Sequence, residues 1–194
     1  MTSNELFEAR TNPDFLKYLE ENRVNSIKEK NISLMYETLD SMLVLNLDED
    51  KINSLYDEIL NLSFLKVEEI LSKDELLTLK EEQLLYARAL YEHAIEKWTN
   101  DNLDGAKELF FVMANIIDDE VLKKAIQCLL IFLAKNISFD DFYDNSVNHN
   151  TSNDEKYGYF IVDFSFNVED LLKENLELLK NLYENLEHLI EKRN

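Results

Sequence analysis

The chain reads as an all-α protein, and three features of its sequence predict that class. Only 2 Gly and 1 Pro punctuate 194 residues, too few for a turn-rich sandwich or barrel. Apolar side chains recur every three or four residues along nearly the whole chain, the period of a helix face rather than of a strand. Leu, Glu and Lys, all good helix formers, are abundant. The expected architecture is a set of stacked antiparallel helical hairpins or an irregular bundle, closed by a long C-terminal helix. With hydrophobic residues at 45%, the chain can bury a substantial core.

Taken in order, Asn12-Pro13 marks the first helix start, because Asn caps and Pro tolerates the first helical position. A helix over residues 13–30 aligns Leu16, Leu19, Val24 and Ile27 on one side. A second, over 33–45, groups Met35, Leu39, Met42 and Leu43. Asp48 caps a third carrying Ile52, Leu55, Tyr56, Ile59 and Leu60, and residues 64–71 form a separate short piece. Ser72 and Glu75 match a capping box, as do Thr78 and Glu81, so a short turn from Lys73 precedes a long helix over 79–98; the alternative is one continuous helix from Lys73. After the polar break at 99–104 come helices over 103–117 and 120–135, the latter capped by Asp118-Asp119. Ser138 opens a short piece ending near Asp144.

This helical domain spans 1–144, with a hairpin at about 79–118. Residues 145–166 form a polar loop and an extended arm. The loop, NSVNHNTSNDEK, lacks apolar periodicity. The arm, YFIVDFSF at 159–166, is the one strand-like stretch; it either packs on the helices, pairs with another molecule or forms another helical turn. Residues 167–194 are a C-terminal amphipathic helix capped by Asn167. Its Leu172, Leu176, Leu179, Tyr183, Leu186 and Ile190 step by four and three, a seam for packing within the chain or for a homodimer.

Charge narrows the function. With 40 acidic and 20 basic residues the net charge is −20. Such a surface repels phosphate backbones, so no nucleic-acid partner is expected. No apolar run is long enough for membrane insertion. Cys128, the single cysteine, lies in an apolar run and forms no intrachain disulfide. The start lacks a basic region followed by an apolar run, so the expected location is cytoplasmic. His93, His149 and His188 show no metal-ligand spacing, and no glycine loop or nucleophile motif stands out. No metal, cofactor or enzymatic activity is expected.

The hairpin carries the functional expectation. Leu90, Ala94, Trp98, Leu103, Ala106 and Phe110 fall at the small and bulky positions of a helix pair that crosses closely. This segment resembles a tetratricopeptide repeat, although Gly105 and Asp118 stand where that pattern has an acidic residue and a proline. With Tyr91 included, residues 90–110 resemble the first repeat of the type III secretion chaperones for translocator proteins. The resemblance implies a concave face, lined by Arg88, Tyr91, Ile95 and Trp98, that holds an extended apolar segment of a protein client. The four residues share one helix face. The rival expectations are an acidic immunity protein or inhibitor neutralising a basic toxin or enzyme, and a helical enzyme with an unrecognised site.

Overall fold

A computed structural model describes residues 2–149 and 155–190. The described residues form ten α-helices and no strand, only isolated bridges. The chain divides into two compact units, Met1–Lys66 and Val67–Asn194. That division lies inside a helix, where composition does not change. It does not lie in the polar stretch at 145–156.

In the first unit, α1 (Ser3–Thr11), α2 (Pro13–Glu29), α3 (Ile32–Val44) and the start of α4 (Glu49–Leu71) follow one another closely. The opening helix was not expected, yet its signal is in the sequence. Thr2 and Glu5 form a capping box, the Glu5 amide donating to Thr2 Oγ1 and the Thr2 amide to Glu5 Oε2 at 2.6 Å. Asn12 caps α2 with Pro13 behind it, and α2 stops at Lys30, whose φ of 54° is left-handed. Asn31 caps α3 and Asp48 accepts the Lys51 amide at the head of α4. The core of this unit holds Leu19, Ile32, Met35, Leu39, Met42, Leu55 and Ile59, most of them positions that periodicity picks out, whereas Val24 and Leu43, expected on the same faces, are exposed. α4 runs 23 residues without the expected break before 64, because no Gly, Pro or competing cap interrupts it.

Glu20 ties α2 to α4. Arg23 donates to both of its carboxylate oxygens, at 2.8 and 3.2 Å, and Lys51 Nζ lies 2.9 Å from one of them. The Arg23 guanidinium, with Lys51 behind it, holds the Glu20 carboxyl down at about 2.

In the second unit the expected helix start at Ser72 is not observed. Ser72 Oγ donates back to the Glu69 carbonyl and Asp74 turns left-handed at φ 59°, so the segment ends α4 instead of opening a new helix. Thr78 does not cap either. Leu77 is pinned between the Ile116 carbonyl and the Asp118 amide, at 2.7 and 2.8 Å, which draws the backbone out straight. Gln83 instead reaches back to the Thr78 amide and hydroxyl, and α5 begins only at Glu81.

From there α5 (Glu81–Thr99), α6 (Leu103–Ile116), α7 (Glu120–Ala134) and α8 (Phe139–Ser146) pack in sequence, α6 against both α5 and α7. Asn102, Asp119 and Ser138 each accept an amide at the head of the following helix. Ala94 and Ala106 are fully buried, as are Leu90, Phe110 and Met113. α7 buries apolar residues on most of its circumference, from Leu122 to Leu133, which marks it as the central helix. Cys128 is buried within it, and desolvation, with Glu169 adding to it, pushes the thiol up to about 12.

The long C-terminal helix is broken. α9 (Val168–Glu174), capped by Asn167, gives way at Asn175 to α10 (Leu176–Leu186) and a 3-10 turn at Glu187–Leu189. Asn175 Nδ2 donates to the Leu171 carbonyl at 2.8 Å, competing locally with the helical ladder. The seam packs within the chain, on α6 and α7, with Leu179 buried and Leu176 left 63% exposed. Residues past 190 and the centre of the expected polar loop, 150–154, lie outside the described residues.

Because the Glu20 carboxyl is lowered in the fold, its contribution is present above the ordinary value of 4.5 and is lost as pH falls toward about 2. Wild type is expected to melt higher than Glu20→Gln at pH 7, and the two melting temperatures to converge across that acid range. Thermal melts of both proteins over the pH series check this.

Candidate functional site

The face of α5 expected to line an open groove is largely closed. Three of its four residues are buried, and only Ile95 is half-exposed. The cover is the chain itself, in two pieces. This corrects the expected concave surface: the spacing that puts Arg88, Tyr91, Ile95 and Trp98 on one face does not decide what lies against that face.

The first piece is the turn into α8. Trp98, 1% exposed, donates its indole N–H to the Ile137 carbonyl at 3.0 Å. Its ring stacks on Phe142 with centroids 5.1 Å apart and meets Phe139 edge-on at 5.5 Å. Phe142 also contacts Phe132 of α7. Trp98 is therefore a core residue joining α5, α7 and α8.

The second piece is the strand-like arm. It packs on the helices, the first of the three expected fates, and crosses α5 as a strap that opens with a 3-10 turn at Glu155–Tyr157, turns again where the Phe160 amide donates to the Tyr157 carbonyl at 2.9 Å, and runs on as irregular chain to residue 166. Phe160, 2% exposed, meets the Tyr91 ring edge-on at 5.2 Å, and Phe110 backs Tyr91 at 5.5 Å. Tyr91 Oη accepts the Ile161 amide at 3.1 Å. Burial raises the Tyr91 phenol well above the usual tyrosine range, outweighing that amide, so it stays neutral. The Arg88 guanidinium donates to Glu92 at 2.7 Å and lies 4.3 Å from the centroid of the Tyr159 ring, a cation–π pair.

Both ends of the strap are tied. At its start, Asp119 accepts from Lys156 Nζ and from the Tyr157 hydroxyl while it also caps α7 through the Leu122 amide. Burial alone would raise the Asp119 carboxyl, but Lys156, the Leu122 amide and Tyr157 together bring it below the usual range. Further along, Val147 and Phe164 form an antiparallel bridge, with Asn148 donating to Asp163 and Ser165 to Ser146. Phe164 and Phe166 stack on each other, and Phe166 also reaches Phe132.

A separate open groove of about 780 Å³ runs beside α10. Phe111, Leu172, Leu179 and Tyr183 line it, Tyr183 meeting Phe111 edge-on at 4.9 Å and taking a 3.4 Å hydrogen bond from Gln127. Sequence reasoning did not find Asp119 or Phe160. Asp119 stood out only as a helix cap, and the aromatic run of the arm signalled burial without naming its partner. Among the described residues, no three His, Cys, Asp or Glu side chains gather as metal ligands. No described helix is long and apolar enough to cross a membrane.

Two substitutions test these contacts. Trp98→Phe keeps an aromatic ring but strands the Ile137 carbonyl, and should cost about 1–3 kcal/mol in urea unfolding with an unchanged m-value. Asp119→Ala removes a helix cap and the strap's anchor together and should cost about 1–2 kcal/mol. Asp119→Asn retains a capping oxygen and should fall between the alanine variant and wild type.

Compared with protein-family models, with curated proteins and with solved structures, the chain matches none, so the functional reading is carried by the site itself.

Proposed function

We propose that this protein is a helical binding scaffold, in the manner of a secretion chaperone, that holds an extended apolar segment of a client polypeptide against α5. One observation supports this reading above the others. The α5 face that carries the repeat-like spacing accommodates a turn and a length of irregular polypeptide, with an aromatic side chain sunk beside Tyr91 and a main-chain amide taken up by the Tyr91 hydroxyl. A helix face that offers aromatic pockets, a buried hydroxyl and an arginine has the features of an interface anchor. Binding rather than catalysis is the proposed role. A cytoplasmic setting belongs to the same proposal and rests on the lone, buried Cys128 thiol.

The net charge of −20 favours a second reading, an acidic inhibitor of a basic toxin or enzyme. Salt separates the two, because charge-steered association weakens as ionic strength rises and apolar capture does not. A photoreactive residue at half-exposed Ile95 is expected to capture the client at low and high salt alike, whereas the same residue at exposed Val121 of α7 is not. Mass spectrometry of the cross-linked peptide should locate an apolar stretch of the client. Capture at Val121 alone, or capture lost at high salt, would overturn the groove reading.

A further inference from the structure

The strap is held as a bound peptide is held. Its anchors are side chains in separate places: Tyr157 on Asp119, Tyr159 over Arg88, Phe160 beside Tyr91. Tyr159 and Phe160 sit in a turn, where the Phe160 amide donates to the Tyr157 carbonyl, and reach different residues of α5, Arg88 and Tyr91, three positions apart on the helix. Across α5 the hydrogen bond linking strap backbone to helix side chain runs from the Ile161 amide to the Tyr91 hydroxyl. No regular ladder fixes the segment, since its pairing with 146–148 is a single bridge flanked by two hydrogen bonds. None of these contacts requires the segment to be covalently continuous with α8.

We infer that residues 157–166 are a resident ligand of the α5 face, and that the client segment is of the same chemistry and enters by displacing them. That segment carries two adjacent aromatic residues in a turn, the first lying over Arg88 and the second entering beside Tyr91 and Phe110, and runs on as irregular chain whose next amide meets the Tyr91 hydroxyl. The inference rests on the binding function proposed above and specifies its partner. A tethered segment meets its site at an effective concentration on the order of millimolar. A free segment therefore binds weakly while the strap is seated, since its apparent affinity is reduced in proportion to the small open fraction. Client capture is self-limited in this way, and the buried aromatic face stays out of water until a client arrives.

The test uses the full chain and, as probe, a labelled synthetic peptide of residues 156–166 with a solubilising lysine tail. Two variants loosen the strap differently. Phe160→Ala empties the pocket beside Tyr91. Lys156→Ala combined with Tyr157→Phe releases the Asp119 end and removes no atom of the apolar core, so it remains informative if the first variant does not fold. Folding of each is read by far-UV circular dichroism. The peptide is expected to bind both folded variants about tenfold or more tighter than wild type. A peptide with Ala in place of Phe160 is expected not to bind. Equal binding to wild type and variants, or binding to no folded variant, would overturn the inference. If Ile95 still captures a client in that event, the binding function stands without the resident ligand. If the peptide binds and Ile95 captures nothing, the resident ligand stands and the client reading fails.

Discussion

The second unit depends on how two of the three aromatic rings of α5, those of Tyr91 and Trp98, are kept out of water. Tyr91 and Trp98 lie seven residues apart, on the same side of the helix, and each carries a polar group that must be satisfied where it is buried. Trp98 takes the Ile137 carbonyl and so draws in the turn between α7 and α8. Tyr91 takes the Ile161 amide and so draws the strap across the helix. These two demands arrange much of the chain beyond α7. The aromatic side chains of α8 and of the strap meet around Phe142, which touches Trp98, Phe132 and Phe164.

α7 imposes the complementary demand. A helix that is apolar almost all round must be covered on every side. α6 covers one side, while α9 and α10 pack against another. The C-terminal segment meets this with a break at Asn175, where a side-chain amide competes for a helix carbonyl and two short helices replace a long one. A groove lined by residues of α6, α7, α9 and α10 remains open on this side. Asp119 links the two demands, because the same carboxylate starts α7 and anchors the strap.

The consequence is that the α5 face proposed to take a client is filled by the chain itself. A binding face built from Tyr, Trp and Arg would be an exposed apolar patch if left open, a liability for an isolated chain. Here the chain supplies its own cover, with the aromatic character such a face selects.

Local signals written in a few residues were legible without coordinates. Asp48, Asp119, Ser138, Asn12 and Asn167 occupy the helix-capping or helix-start positions expected of them, and periodicity marked much of the buried face of α2, α3 and α4, though it also picked out Val24 and Leu43, which are exposed. Local signals failed where a distant contact outcompeted them. Thr78 could not cap because Leu77 was held by residues near 117, and Ser72 closed a helix rather than opening one. The candidate face was half legible. Spacing placed Arg88, Tyr91, Ile95 and Trp98 together, since helix geometry follows from the chain itself. That Ile137, Phe142, Phe160 and Ile161 cover most of it was decided only by tertiary structure, because contacts between residues 39 to 70 positions apart leave no periodic trace in a sequence.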